Sequence, residues 1–159
     1  MMRPLDMLLR LNERRLDDER RRLARKLAEL AGARDAEDRA RAALAESAAT
    51  LPKREDALYD PVMRRSASMR DMEDVKESLV ALTRAHATLA DARDRGEHVR
   101  RRVESETEAA KEAQRRLHAR RIKYELMRDE MARSFDRAAE RREEADIEDL
   151  TARGRARKP

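Results

Sequence analysis

The chain has no cysteine and no tryptophan, two tyrosines, one phenylalanine, three glycines and four prolines among its 159 residues. Each shortage excludes something. Without Cys there are no disulfides and no thiolate zinc sites, and the expected setting is a reducing compartment. With Tyr59, Tyr124 and Phe135 as the whole aromatic set, the wide side chains that fill a compact enzyme's core are missing. The glycines at 32, 96 and 154 open no Gly-rich run, so there is no loop to cradle a phosphate. No segment approaches the roughly 20 apolar residues of a membrane span. Residues 1–11 carry Arg3, Asp6 and Arg10, which leaves no uncharged stretch for a signal peptide. The expectation is a soluble cytoplasmic protein that is not an enzyme.

What remains is charge and small aliphatics. Asp, Glu, Lys and Arg make up 46% of the chain, and Ala, Leu and Met dominate its apolar share. That mixture belongs either to long helices or to a disordered polar chain, and periodicity decides between them. Leu recurs every seven residues at 9, 16, 23, 30, 44 and 51, with Glu37 as the exception. A second column runs through Val75, Leu82, Leu89, Gly96, Val103, Ala110, Leu117, Tyr124, Met131, Ala138 and Ala145. None of these eleven positions is charged, an outcome with a chance probability of about 0.001 in a chain of this composition. A seven-residue period sustained this long requires a supercoil against a partner helix, because a straight 3.6-residue helix would let its stripe drift away. The companion column is polar, with His86, Arg93, Arg100, Thr107, Gln114, Arg121 and Arg128 between Leu79 and Phe135, so a narrow coil is expected.

Pro52 and Pro61 bracket the expected break. The reading is all-α, a long antiparallel two-helix coiled-coil hairpin forming a single unit: helix about 4–51, tip about 52–67, helix about 68–152 and basic tail 153–159. Within the tip a short helical turn is expected, and the tip itself either contacts a partner or is disordered. The columns fit in antiparallel sense when facing residue numbers sum to 126, which sets Leu30 against Gly96; the heptad period equally allows a shift by seven. In this pairing the second helix outruns the first beyond about residue 123. Roughly 25 to 30 residues, on the order of 40 Å, carry an apolar stripe with no partner within the chain.

Site chemistry is absent. His86, His98 and His118 lack the three- or four-residue spacing of a helical metal pair, so no metal and no cofactor is expected. The carboxylates sit in charge-rich helical patterns with nothing to desolvate a pair, so no catalytic residue is assigned. Basic clusters at 100–102 and 115–123 are separated by Glu104, Glu106, Glu108 and Glu112 and lack aromatics for stacking, which argues against nucleic acid. The tail differs: Arg153, Arg155, Arg157 and Lys158 follow an acidic run at 140–149, a charge step able to orient a helix docked in a complementary channel.

Three stretches carry a family resemblance: LDMLLRLNERRLDDERRRLARKLAEL at 5–30, MEDVKESLVALTRAHATLADA at 72–92, and AAERREEADIEDLTARGRARKP at 138–159. Together with the layout of shorter helix, tip, longer helix and charged ending, they resemble the central-stalk proteins of bacterial type III secretion and flagellar export, the YscO/FliJ/SctO type. The resemblance implies a non-catalytic hairpin whose termini enter the pore of a hexameric export ATPase and which links it to the cytoplasmic domain of the export gate, with secretion chaperones as a further class of partner. Carried onto this sequence, the ATPase-facing candidates are Leu5, Leu8, Leu9, Tyr124, Met131, Phe135, Arg153, Arg155, Arg157 and Lys158. The gate candidates are Val75, Leu79, Leu82 and His86, spaced four, three and four. Few tip aromatics and Arg/Ala richness favour the injectisome branch, hence a role in virulence. The free chain is expected to be monomeric; the other reading is a generic coiled-coil adaptor or secretion chaperone-escort whose overhang zips to a second copy.

Overall fold

The computed structural model describes residues 3–156, with side chains from 4 to 152. Two helices, α1 (Arg3–Met63) and α2 (Met69–Ala156), pack against each other as an antiparallel hairpin, and no strand occurs among the described residues. The chain divides into two compact units, Arg22–Ala110 and Met1–Arg21 with Lys111–Pro159.

The first helix does not stop at 51. It continues through Pro52 and Pro61 to Met63, and the tip shrinks from the expected 52–67 to residues 64–68. Each proline lacks an N–H and leaves the carbonyl four residues earlier, at Ala48 and Ala57, without its helical bond. Both alanines are exposed, so water can take the place of the missing donor. Packing carries the helix past them: Leu51, Glu55, Leu58 and Val62 are half-buried against the stretch of α2 that holds Asp71, Val75 and Leu79. The seam spacing here becomes four and four on both helices, at Ser47, Leu51 and Glu55 and at Asp71, Val75 and Leu79. This inserted four-residue step locally relaxes the supercoil.

The start of α2 is a reciprocal cap. Ser68 Oγ donates to Asp71 Oδ2 (2.8 Å) and accepts from the Asp71 N–H (3.2 Å), while the Ser68 N–H donates to Asp71 Oδ2 (2.9 Å). Orphan donors at the helix end are thus satisfied. The Ser68 backbone bond above all holds the Asp71 carboxyl below its ordinary value.

Within Arg22–Ala110 the facing pairs fix the register. Ser47 meets His86 (2.9 Å), the backbone of Glu37 lies against Gly96, and the carbonyl of Lys26 lies 3.4 Å from the Thr107 hydroxyl. All three pairs sum to 133, so the register lies one heptad from the expected 126. Leu30 therefore faces Val103 rather than Gly96, and Leu44 faces Leu89. Leu30, Val75, Val103 and Ala110 are buried, and Thr107, 1% exposed, satisfies its hydroxyl on the Val103 carbonyl at 2.7 Å.

The corrected register explains the exception in the leucine column. Glu37, 3% exposed, sits where Gly96 leaves room: a Cβ on Gly96 would stand 3.4 Å from the Glu37 Cα. Its carboxylate accepts from Arg100 Nε (2.5 Å) across the seam and from Arg41 (2.6 Å) along α1. Arg100 also reaches Glu104 (2.7 Å), which Arg34 bonds from α1 (3.1 Å). Beside this network Lys26 donates to Glu106 (2.8 Å), holding the ammonium above and the carboxyl below its ordinary value. A buried carboxylate is tolerable only when its oxygens are answered in this way.

In the other unit Leu5, Leu9, Asn12 and Leu16 are buried at seam positions of α1. Arg121 of α2 bonds Glu125 (2.9 Å) and lies 3.8 Å from Glu13 of α1. That pair sums to 134, in keeping with the same alignment.

Three outcomes follow for stability. Gly32 has no neighbour within 4 Å of an added Cβ, so Gly32→Ala should raise stability by about 1 kcal/mol through helix propensity alone, read as a higher Tm. Arg100→Ala strands Glu37 in the seam and should lower Tm further than Glu37→Leu, which removes the charge itself; equal losses would contradict the paired-carboxylate account. Ser68→Ala should lower Tm at neutral pH. Because the Asp71 carboxyl is held below its ordinary value of 3.8, the cap contributes fully above that value and is lost as pH falls through the lower folded value; the gap between Ser68→Ala and the parent should therefore narrow in acid.

Candidate partner-binding surface

The surface of interest lies in the unit formed by Met1–Arg21 and Lys111–Pro159. With α1 starting at Arg3, the seam of α2 loses its cover near residue 130. Tyr124 and Met131 are still half-buried, as is Ala132; every described residue from 133 to 152 is exposed. Phe135 is 48% exposed, Ile147 61% and Leu150 68%. The uncovered segment carries Arg133, Arg137, Arg141 and Arg142 in its first half and Glu143, Glu144, Asp146, Glu148 and Asp149 in its second. Some of these charges pair weakly along the helix, as in Glu130 with Arg133 and Arg137, both at 3.8 Å.

A second feature was not foreseen from the heptads. Met7, Leu8 and Leu11 on α1 and Ile122, Leu126 and Met127 on α2 are all exposed. The alignment of this unit brings them to one level of the coil, with Leu11 level with Ile122 and Met7 level with Leu126. Together they form an apolar collar just before α1 ends. Exposed apolar residues elsewhere along the helices, such as Leu27 and Val99, stand singly and need no explanation. Exposed at one level on both helices, these six make a candidate binding surface. The signal in the sequence was a run of large aliphatics outside the two seam columns, at 7–11 and 122–127, which a search for heptads passes over.

The residues expected to face an ATPase are therefore divided. Leu5 and Leu9 are buried in the seam, Tyr124 and Met131 straddle its end, and Leu8 and Phe135 are accessible. Arg153 and Arg155 belong to α2, whose helix reaches Ala156; their side chains, and Arg157 and Lys158 altogether, lie outside the described residues. The four gate candidates do share one face of α2, but α1 occupies it. Val75 is buried, Leu79 and Leu82 are half-buried, and the His86 ring is bonded to Ser47. The apolar residues open to a partner around the tip are instead Tyr59, Met63, Met69, Met72 and Val80.

The described residues hold no grouping of His, Asp and Glu suited to a metal ion, and no helix among them is long and apolar enough to cross a membrane. The arrangement can bind another macromolecule through apolar contact and charge pattern. No curated protein and no solved structure matches the chain. A family model described as "Type III secretion protein YscO" matches residues 5–153, nearly the whole coil from the first seam leucine to the end of the exposed segment. The chain belongs to the YscO family of type III secretion proteins.

Proposed function

We propose that this type III secretion component is a non-catalytic central stalk, acting at the cytoplasmic face of the apparatus, whose open end enters the pore of the hexameric export ATPase and promotes its assembly or turnover. The observation that carries this reading is the apolar collar followed by an uncovered, charge-stepped helix. A hexamer's axial channel offers a ring of surfaces around a single rod, and a collar apolar on both helices suits a ring better than a one-sided groove. Phe135 and the half-buried Met131 would seat in the channel, while the change from basic to acidic along 133–149 orients the rod by electrostatic complementarity. At the opposite end, the methionines at 63, 69 and 72 give an adaptable apolar surface for the cytoplasmic domain of the export gate, in place of the covered stripe from Val75 to His86.

The test is the ATP hydrolysis rate of the cognate ATPase with the full chain and with a Met131→Asp/Phe135→Asp variant. Both positions lie at or beyond the end of the seam, so the helical far-UV signal should survive. Stimulation by the parent should fall at least tenfold in the variant. Undiminished stimulation would overturn the pore reading. A stable dimer of the free chain by sedimentation, with no stimulation by either protein, would favour the adaptor or chaperone-escort reading.

A further inference from the structure

The seam within Arg22–Ala110 contains its own alternative. On α2 the charged pair repeats one heptad apart: Arg93 and Glu97 recur as Arg100 and Glu104. In the observed register α1 uses the second copy, with Glu37 on Arg100 and Arg34 on Glu104. The first copy faces the same seam from half-buried positions. Glu97 is paired with Arg101 along α2. Arg93 lies 2.9 Å from the Asp94 carboxylate, which is out of line with its N–H, and its Nε is buried without a hydrogen bond among the described residues.

We propose that this unit is a two-register coil, in which α1 can slide by one heptad, about 10.5 Å, to place Glu37 on Arg93 and Arg34 on Glu97. Most apolar layers survive the slide, but Glu37 exchanges Gly96 for Leu89 and Leu30 exchanges Val103 for Gly96, which makes the shifted register the minor one. Leu44 exchanges Leu89 for Leu82, Leu51 exchanges Leu82 for Val75, and Leu23 exchanges Ala110 for Val103. The opposite slide is disfavoured, since it brings Thr107 to the place of Arg100 and leaves Glu37 without a cation from α2. The tip also accommodates the change. A turn moved three or four residues toward the N-terminus would end α1 at Asp60, putting Pro61 just past a helix end, where proline is favoured. Ser66 would then be available as the new N-cap.

Three contacts hold the observed register. Lys26 pairs with Glu106, Thr107 packs against the Lys26 carbonyl, and Ser47 bonds His86. After the slide Lys26 faces Arg100, Val99 stands where Glu106 stood, and Ser47 faces Leu79. Lys26 therefore adds to the bias that Glu37 sets by its seat at Gly96.

The absence of native Cys makes the test direct. The full chain carrying Ser47→Cys with His86→Cys reports the observed register, and Ser47→Cys with Leu79→Cys reports the shifted one. A disulfide needs Cα atoms within about 7 Å, which the second pair cannot reach without the slide. Under mild oxidation in dilute solution, the 47–86 pair should close rapidly and the 47–79 pair should close in a minor fraction, each as a monomer-sized product. Adding Lys26→Glu sets like charges at Glu106 and opposite charges at Arg100, and should raise the 47–79 yield about tenfold while lowering the 47–86 yield. Lys26→Gln, which removes both the pairing and the repulsion, should shift the yields in the same direction and serves if the charge reversal unfolds the coil. A 47–79 pair that stays reduced in all three backgrounds while 47–86 closes would overturn the proposal, as would a 47–79 product of dimer size alone.

Discussion

One buried carboxylate sets how the helices of this coil meet. A leucine at position 37 would complete an uninterrupted heptad column, and such a column is indifferent to which heptad it faces. Glutamate is not. It enters the seam most readily where the opposite helix gives up a side chain, at Gly96, and where a cation one turn away answers its charge, at Arg100. Arg41, Glu104 and Arg34 extend that answer onto both helices. Replacing such a network by apolar residues can leave a protein as stable, so its contribution here is to alignment more than to stability. Ser47 with His86 and Lys26 with Glu106 confirm the alignment at two further levels.

Alignment in turn bears on what the chain leaves uncovered. Within the unit of Met1–Arg21 and Lys111–Pro159, the pairing of Glu13 with Arg121 brings the start of α1 level with about residue 130 of α2, some seven residues later than a register of 126 would. Tyr124 and Met131 thereby gain partial cover, and the fully exposed stretch begins at Arg133. The collar of Met7, Leu8, Leu11, Ile122, Leu126 and Met127 exists as a cluster only because this alignment brings the two runs to one level. A working surface is thus made from positions that contribute nothing to the seam.

The fold was legible in the sequence because its cause is periodic. Two uncharged columns with a seven-residue repeat imply two supercoiled helices whatever else the chain does, and the longer second column implies an overhang. Register was not legible at the same level, because a repeat of seven is blind to shifts of seven; only the Glu37 exception, matched to Gly96 and Arg100, could have resolved it. The tip was misread for a different reason. Proline is a local signal, and at Pro52 and Pro61 exposed carbonyls and continued packing of Leu58 and Val62 outweigh it. The site residues divide along the same line. Of the residues carried over from the family resemblance, Leu5, Leu9, Val75 and Leu82 are at least half-buried because they lie in the seam, whereas Leu8 and Phe135 are exposed. Apolar residues off the column carry the surface information, and a period search discards them.

The proposed ATPase-binding end of this YscO-family protein is the collar and the exposed helix beyond it. Photo-crosslinking tests that placement most directly, with a benzophenone amino acid at position 126 or 135 of the full chain and, as a control, at position 99 on the coil's outer face. Mixed with the assembled export ATPase, positions 126 and 135 should give crosslinks to ATPase subunits and position 99 none. Crosslinks from 135 only to a second copy of the chain, or equal labelling from all three positions, would contradict it.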